Sequence, residues 1–145
     1  MEYVQMAASV ALSRVAFGTW RLWERRPTDQ EANRLLGECL DAGITTVDTA
    51  EIYGRYEVED LLGRAMALSP GLRDRLEIVT KGGIEVPCPR RPGARVAHYN
   101  ATAAHLGRVV DGALTRLRTD RVEMFLVHRP DWLTLRTTRP QRWGR

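Results

Sequence analysis

Four side chains able to move or orient protons stand at comparable places in the chain. Asp48 closes the apolar run 44–47, Lys81 closes 76–80 and His128 closes 122–127, while Tyr53 lies five residues after Asp48. Runs this short, rich in Val, Ile and Leu, read as strands of a buried sheet. At the C-terminal edge of a parallel sheet, strand-end residues converge, and ligands bind at that edge. An Asp, a Tyr, a Lys and a His brought together there suit proton chemistry at a carbonyl. Tyr53 would donate the proton. The Lys81 ammonium would stabilise the phenolate left behind, and Asp48 would hold and neutralise Lys81. His128 would hydrogen-bond the carbonyl and orient it. Singly, each residue has a plainer use: a turn cap, a packed ring with a wet hydroxyl, a solvated amine, a turn histidine. Their joint placement carries the reading.

The segments between these runs have helical periodicity. Thr28 and Glu31 have the spacing of a capping box, and Ala32, Leu35, Leu36, Cys39 and Leu40 share one helical face up to Gly43. Val58, Leu61, Leu62, Ala65 and Met66 make a second stripe, stopped by Pro70-Gly71. Leu106, Val109, Val110, Ala113, Leu114 and Leu117 make a third. Residues 15–17 form a first short strand ending at Gly18, and 82–100, with three prolines and Gly93, is a long loop. The order β-α-β-α-β-α-β calls for a parallel sheet with right-handed crossovers.

A chain of 145 residues with 43% apolar and 28% charged side chains is one domain's worth of ordinary globular sequence. No apolar run approaches the length of a membrane span, and 1–12 lacks the basic start of a signal peptide. Two cysteines, Cys39 and Cys88, make no disulfide framework, so a reducing cytoplasm is expected. No metal site is expected. The net charge of +4 belongs to residues 132–145, which hold four Arg and no acid, while the other 131 residues balance 18 basic against 18 acidic side chains. A neutral body has no broad footprint for nucleic acid. Of the 22 basic residues, one, Lys81, is a lysine.

Asp48-Thr49-Ala50-Glu51-Ile52-Tyr53-Gly54, Ile78-Val79-Thr80-Lys81 and Phe125-Leu126-Val127-His128-Arg129-Pro130-Asp131 resemble the catalytic segments of the aldo-keto reductases, and the bacterial predicted oxidoreductases in particular. The resemblance covers about residues 13–131. It implies a (β/α)8 barrel, NADPH-dependent reduction of an aldehyde or ketone, and the roles given above for Asp48, Tyr53, Lys81 and His128. It also implies that Gly18, Thr19, Trp20 and Asp48 border the cofactor. Trp23 and Tyr56 have no assigned role, and Glu51 and Arg55 read as solvated charges. A barrel of this kind takes about 250 residues, so 1–131 is expected to be its N-terminal half. The phosphate-binding loops of the later strands are not in this sequence, and no GxGxxG or GxxxxGK[ST] motif replaces them. The chain alone is therefore expected to bind NADPH weakly and to turn over little. Residues 132–145 lose periodicity, charge balance and resemblance together, and are expected to be a disordered or frameshifted tail. Two other readings stand beside the enzyme: a non-catalytic remnant, and a half-barrel module that self-associates through its open edges.

Overall fold

The computed structural model describes residues 1–131 and Leu133; the tail 132–145 otherwise lies outside the described residues. In chain order the elements are β1 (Tyr3–Ala7), β2 (Val10–Ser13), β3 (Ala16–Gly18), α1 (Asp29–Asp41), β4 (Thr46–Asp48), α2 (Val58–Ala67), β5 (Glu77–Gly82), β6 (Ile84–Glu85), β7 (His98–Tyr99), α3 (Ala103–Leu117) and β8 (Met124–Val127). Short 3-10 turns occur at Leu22–Arg25 and Arg73–Arg75. Strands β3, β4, β5 and β8 form one parallel sheet in that order. With α1, α2 and α3 between successive strands, this is the first half of a (β/α)8 barrel.

The helices begin where the sequence caps them. Thr28 accepts from the Glu31 amide while the Glu31 carboxylate accepts from the Thr28 amide, which satisfies two end donors of α1 at once. Thr102 caps α3, its hydroxyl accepting from the His105 amide. The apolar stripes of the three helices meet the outer face of the sheet. Leu36, Leu62, Ile78 and Leu117 are almost wholly buried there, each stabilising the fold by roughly 1.5–3 kcal/mol. Trp23 packs against the edge of this core. The backbones of α2 and α3 touch at Gly63, where a Cβ would run into the Arg116 carbonyl oxygen.

One ion pair lies inside this layer. Glu59, 1% exposed, accepts from Thr80 Oγ1 at 2.6 Å and from Arg116 Nε at 2.9 Å. It ties both helices to the residue that precedes Lys81.

Two segments depart from the sequence reading. Residues 3–13 form an antiparallel hairpin rather than an unassigned apolar start. Ser13 at its end docks on the sheet, donating from its amide to Thr46 Oγ1 at 2.8 Å. The loop 82–100 is not featureless either, because Ile84 pairs with Tyr99 and Glu85 with His98 in a small antiparallel ribbon. Among the described residues, β3 and β8 are the ends of the sheet order, as expected for a half barrel. Leu126 and Val127 on β8 are 39% and 48% exposed.

Candidate active site

Register explains why the strand-end residues meet. Asp48 pairs with Gly18 on one side and Val79 on the other, and Lys81 pairs with Leu126. Side chains alternate along a strand. Lys81, two residues beyond Val79, therefore shares the face of Asp48, and His128, two beyond Leu126, shares it as well. The His128 amide continues the ladder to the Gly82 carbonyl at 2.8 Å. Tyr53 reaches the same spot from the turn after β4.

Lys81 Nζ is the hub. It donates to Asp48 Oδ1 at 2.7 Å and to the Thr49 carbonyl at 2.9 Å, and lies 3.4 Å from Tyr53 Oη. Its side chain is 15% exposed and that of Asp48 35%. The Tyr53 and His128 rings meet edge to face with centroids 5.8 Å apart. All four predicted proton-handling residues are thus in one cluster. Burial, then repulsion by Lys81 and Arg129, holds the His128 imidazole below its ordinary pKa, against an opposing pull from Asp48. His128 Nδ1 is buried with no hydrogen-bond partner among the described residues.

The other predicted residues divide. Gly18 is exposed and pairs with Asp48 across the sheet, Trp20 is exposed two residues further on, and among the described residues nothing stands within 4 Å of where a Gly18 side chain would begin. Thr19 is fully buried, and its amide and hydroxyl both donate to the Asp48 carbonyl at 3.0 Å. It supports Asp48 from behind. Gly18 leaves open space at the strand end beside Asp48, where a flat ring could approach. Among the described residues, no cluster of His, Cys, Asp and Glu could hold a metal ion, and no helix is long and apolar enough to cross a membrane.

Glu51 is a correction. It is 2% exposed, not solvated, because Arg91 from the 82–100 loop folds over and pairs with it. Burial pushes its carboxyl pKa up, while Arg91 and Arg116 pull it down. Tyr56, left without a role by sequence reasoning, is buried and hydrogen-bonded to the same loop at Val86. Neither fact had a local signal, since the partners are 40 and 30 residues away. Arg55 is exposed, as expected.

A hub lysine between an aspartate and a tyrosine, on the C-terminal edge of half a barrel, is accompanied by a match to the Aldo/keto reductase family model over residues 14–135; the chain belongs to that family. It is 48% identical over 131 residues to the uncharacterized oxidoreductase YcsN of Bacillus subtilis (strain 168), and 42% identical over 132 residues to a 6-dehydroglucose reductase of Agrobacterium fabrum. Each alignment covers 90% of this chain and 44% of the relative, so the chain spans less than half the length of these curated relatives. A solved glycerol dehydrogenase, AKR11B4 of Gluconobacter oxydans, superposes with a TM-score of 0.74 at 29% identity, over 91% of this chain and 40% of that one.

Proposed function

We propose that this half barrel carries the proton-transfer machinery of an NADPH-dependent reductase of aldehydes or ketones. The observation that supports it most is the Lys81 ammonium held between Asp48 Oδ1 and the Thr49 carbonyl, and within 3.4 Å of Tyr53 Oη. The Tyr53 hydroxyl gives its proton to the substrate carbonyl oxygen, and Lys81 stabilises the resulting phenolate. Asp48 keeps Lys81 in place, and Thr19 keeps the Asp48 backbone in place. His128 is neutral near pH 7. With Nδ1 buried and unpaired among the described residues, the less costly tautomer leaves that nitrogen bare and puts the proton on Nε2. Nε2–H is then the donor that orients the carbonyl. Gly18, Trp20 and Asp48 would border the nicotinamide, which when bound supplies the hydride for the carbonyl carbon.

The test joins this chain to the C-terminal half of YcsN and follows NADPH oxidation with 4-nitrobenzaldehyde. Tyr53→Phe should cut turnover by about two to four orders of magnitude with little change in NADPH affinity. Near-normal turnover would remove Tyr53 from its role. The 145-residue chain by itself should bind NADPH weakly and show no steady turnover.

A further inference from the structure

The turn that carries Tyr53 has a conformation its own residues disfavour. Gly54, Arg55 and Tyr56 follow one another with φ of 57°, 56° and 71°. A left-handed backbone crowds Cβ against the next carbonyl for every residue but glycine, and it persists where the surroundings hold it. One stretch of the 82–100 loop supplies that hold at both ends of the turn. After Tyr53, the Val86 amide donates to Tyr56 Oη at 2.8 Å, and the Tyr56 hydroxyl reaches the Val86 carbonyl at 3.4 Å. Before Tyr53, the buried Glu51 carboxylate pairs with Arg91, whose guanidinium also lies 4.8 Å from the centre of the Tyr56 ring. The Glu51 amide in turn donates to the Lys81 carbonyl at 2.9 Å. Arg91 therefore touches both flanks of the turn, two and three residues either side of Tyr53. The Lys81–Tyr53 contact is the longest of the three that Lys81 makes, so small movements of the turn decide whether it exists.

We propose that residues 86–91 clasp the Tyr53 turn, with Arg91 and Tyr56 as positioning residues that set the distance from the Tyr53 hydroxyl to the Lys81 ammonium. The catalytic meaning of that distance rests on the function proposed above; the clasp itself is measurable without turnover. The whole chain is labelled with 13Cζ-tyrosine, which gives four resonances, for Tyr3, Tyr53, Tyr56 and Tyr99. Tyr53→Phe assigns its own, and Lys81→Met marks where the Tyr53 signal lies without the ammonium. In Arg91→Met and in Tyr56→Phe, the Tyr53 signal should move more than half the way toward that position. Arg64→Met should leave it in place, because Arg64 pairs with Asp29 on α1, away from the clasp. A Tyr53 signal unmoved in folded Arg91→Met and Tyr56→Phe overturns the proposal, as does an equal shift in Arg64→Met. If Arg91→Met does not fold, Tyr56→Phe decides, since it keeps the ring and every charge. A displaced Tyr53 signal together with undiminished turnover in Tyr53→Phe would retain the clasp and remove the proton-donor reading, so the two fail separately.

Discussion

Replacing Arg116 with Met should be among the most destabilising single changes in the helical layer. The guanidinium donates from Nε to Glu59 Oε2 at 2.9 Å, and its Nη2 stands 2.8 Å from the same oxygen. The Glu59 side chain is 1% exposed and that of Arg116 17%. Met keeps much of the Arg stem and removes the charge, leaving a carboxylate that water cannot reach. Breaking a buried pair from one side costs about 3–5 kcal/mol, and the residual exposure of Arg116 points to the lower end, about 3 kcal/mol. That is a large share of the 5–15 kcal/mol that typically separates folded from unfolded. With a urea slope of about 2 kcal/mol/M, the midpoint should fall by about 1.5 M. Arg64→Met is the control. Its pair with Asp29 is 43% and 32% exposed, and such pairs are worth about 0–1 kcal/mol. Adding Glu59→Met to Arg116→Met should recover part of the loss, because an apolar pair of similar volume is tolerated where a lone charge is not. Recovery stays incomplete, since the Thr80 hydroxyl then loses its acceptor at a cost of about 1–3 kcal/mol; Thr80→Val in the same background should recover more. Equal urea shifts for Arg116→Met and Arg64→Met, or a loss below about 1 kcal/mol for Arg116→Met, would refute the burial argument.

The depressed pKa of His128 gives a stability that is present above the unfolded value, about 6.5, and is lost as pH falls below it, since the unfolded chain then binds the proton more readily. Its C2–H resonance should titrate with a midpoint below that of an exposed histidine; a midpoint at or above it would contradict the site's electrostatics. The half-exposed Leu126 and Val127 on an end strand should make the chain self-associate through its open edges. Light scattering after gel filtration should show species larger than 16.4 kDa, and Leu126→Lys with Val127→Lys should return a monomer; a wild-type monomer at high concentration would count against pairing.

Legibility followed the range of the interactions. The α1 cap could be read because Thr28 and Glu31 are three residues apart, and a capping box is a local device. The site could be read because parallel register forces strand ends to one edge, so Asp48, Lys81 and His128 needed only correctly placed strands. The hairpin 3–13 could not. Every residue of β1 is exposed, so it carries no alternation of burial for the sequence to express. Glu51 could not either: its sequence neighbourhood resembles a polar loop, and what buries it is Arg91, from a segment with no periodicity. Thr19 fell between the two. Its position beside the site was legible, but its inward turn depends on the Asp48 carbonyl, 29 residues away.

The enclosure of Lys81 has a practical consequence for chemistry done on the protein. Every other cationic side chain is an arginine or a histidine, so the chain has one primary amine besides its N-terminus. Amine-directed reagents that act slowly on other proteins by decorating their surfaces have no such surface here. An isotopic methyl placed by reductive alkylation, or a small acyl group, would report from the centre of the Asp48–Tyr53 cluster. Its rate of attachment would measure how often that cluster opens to solvent.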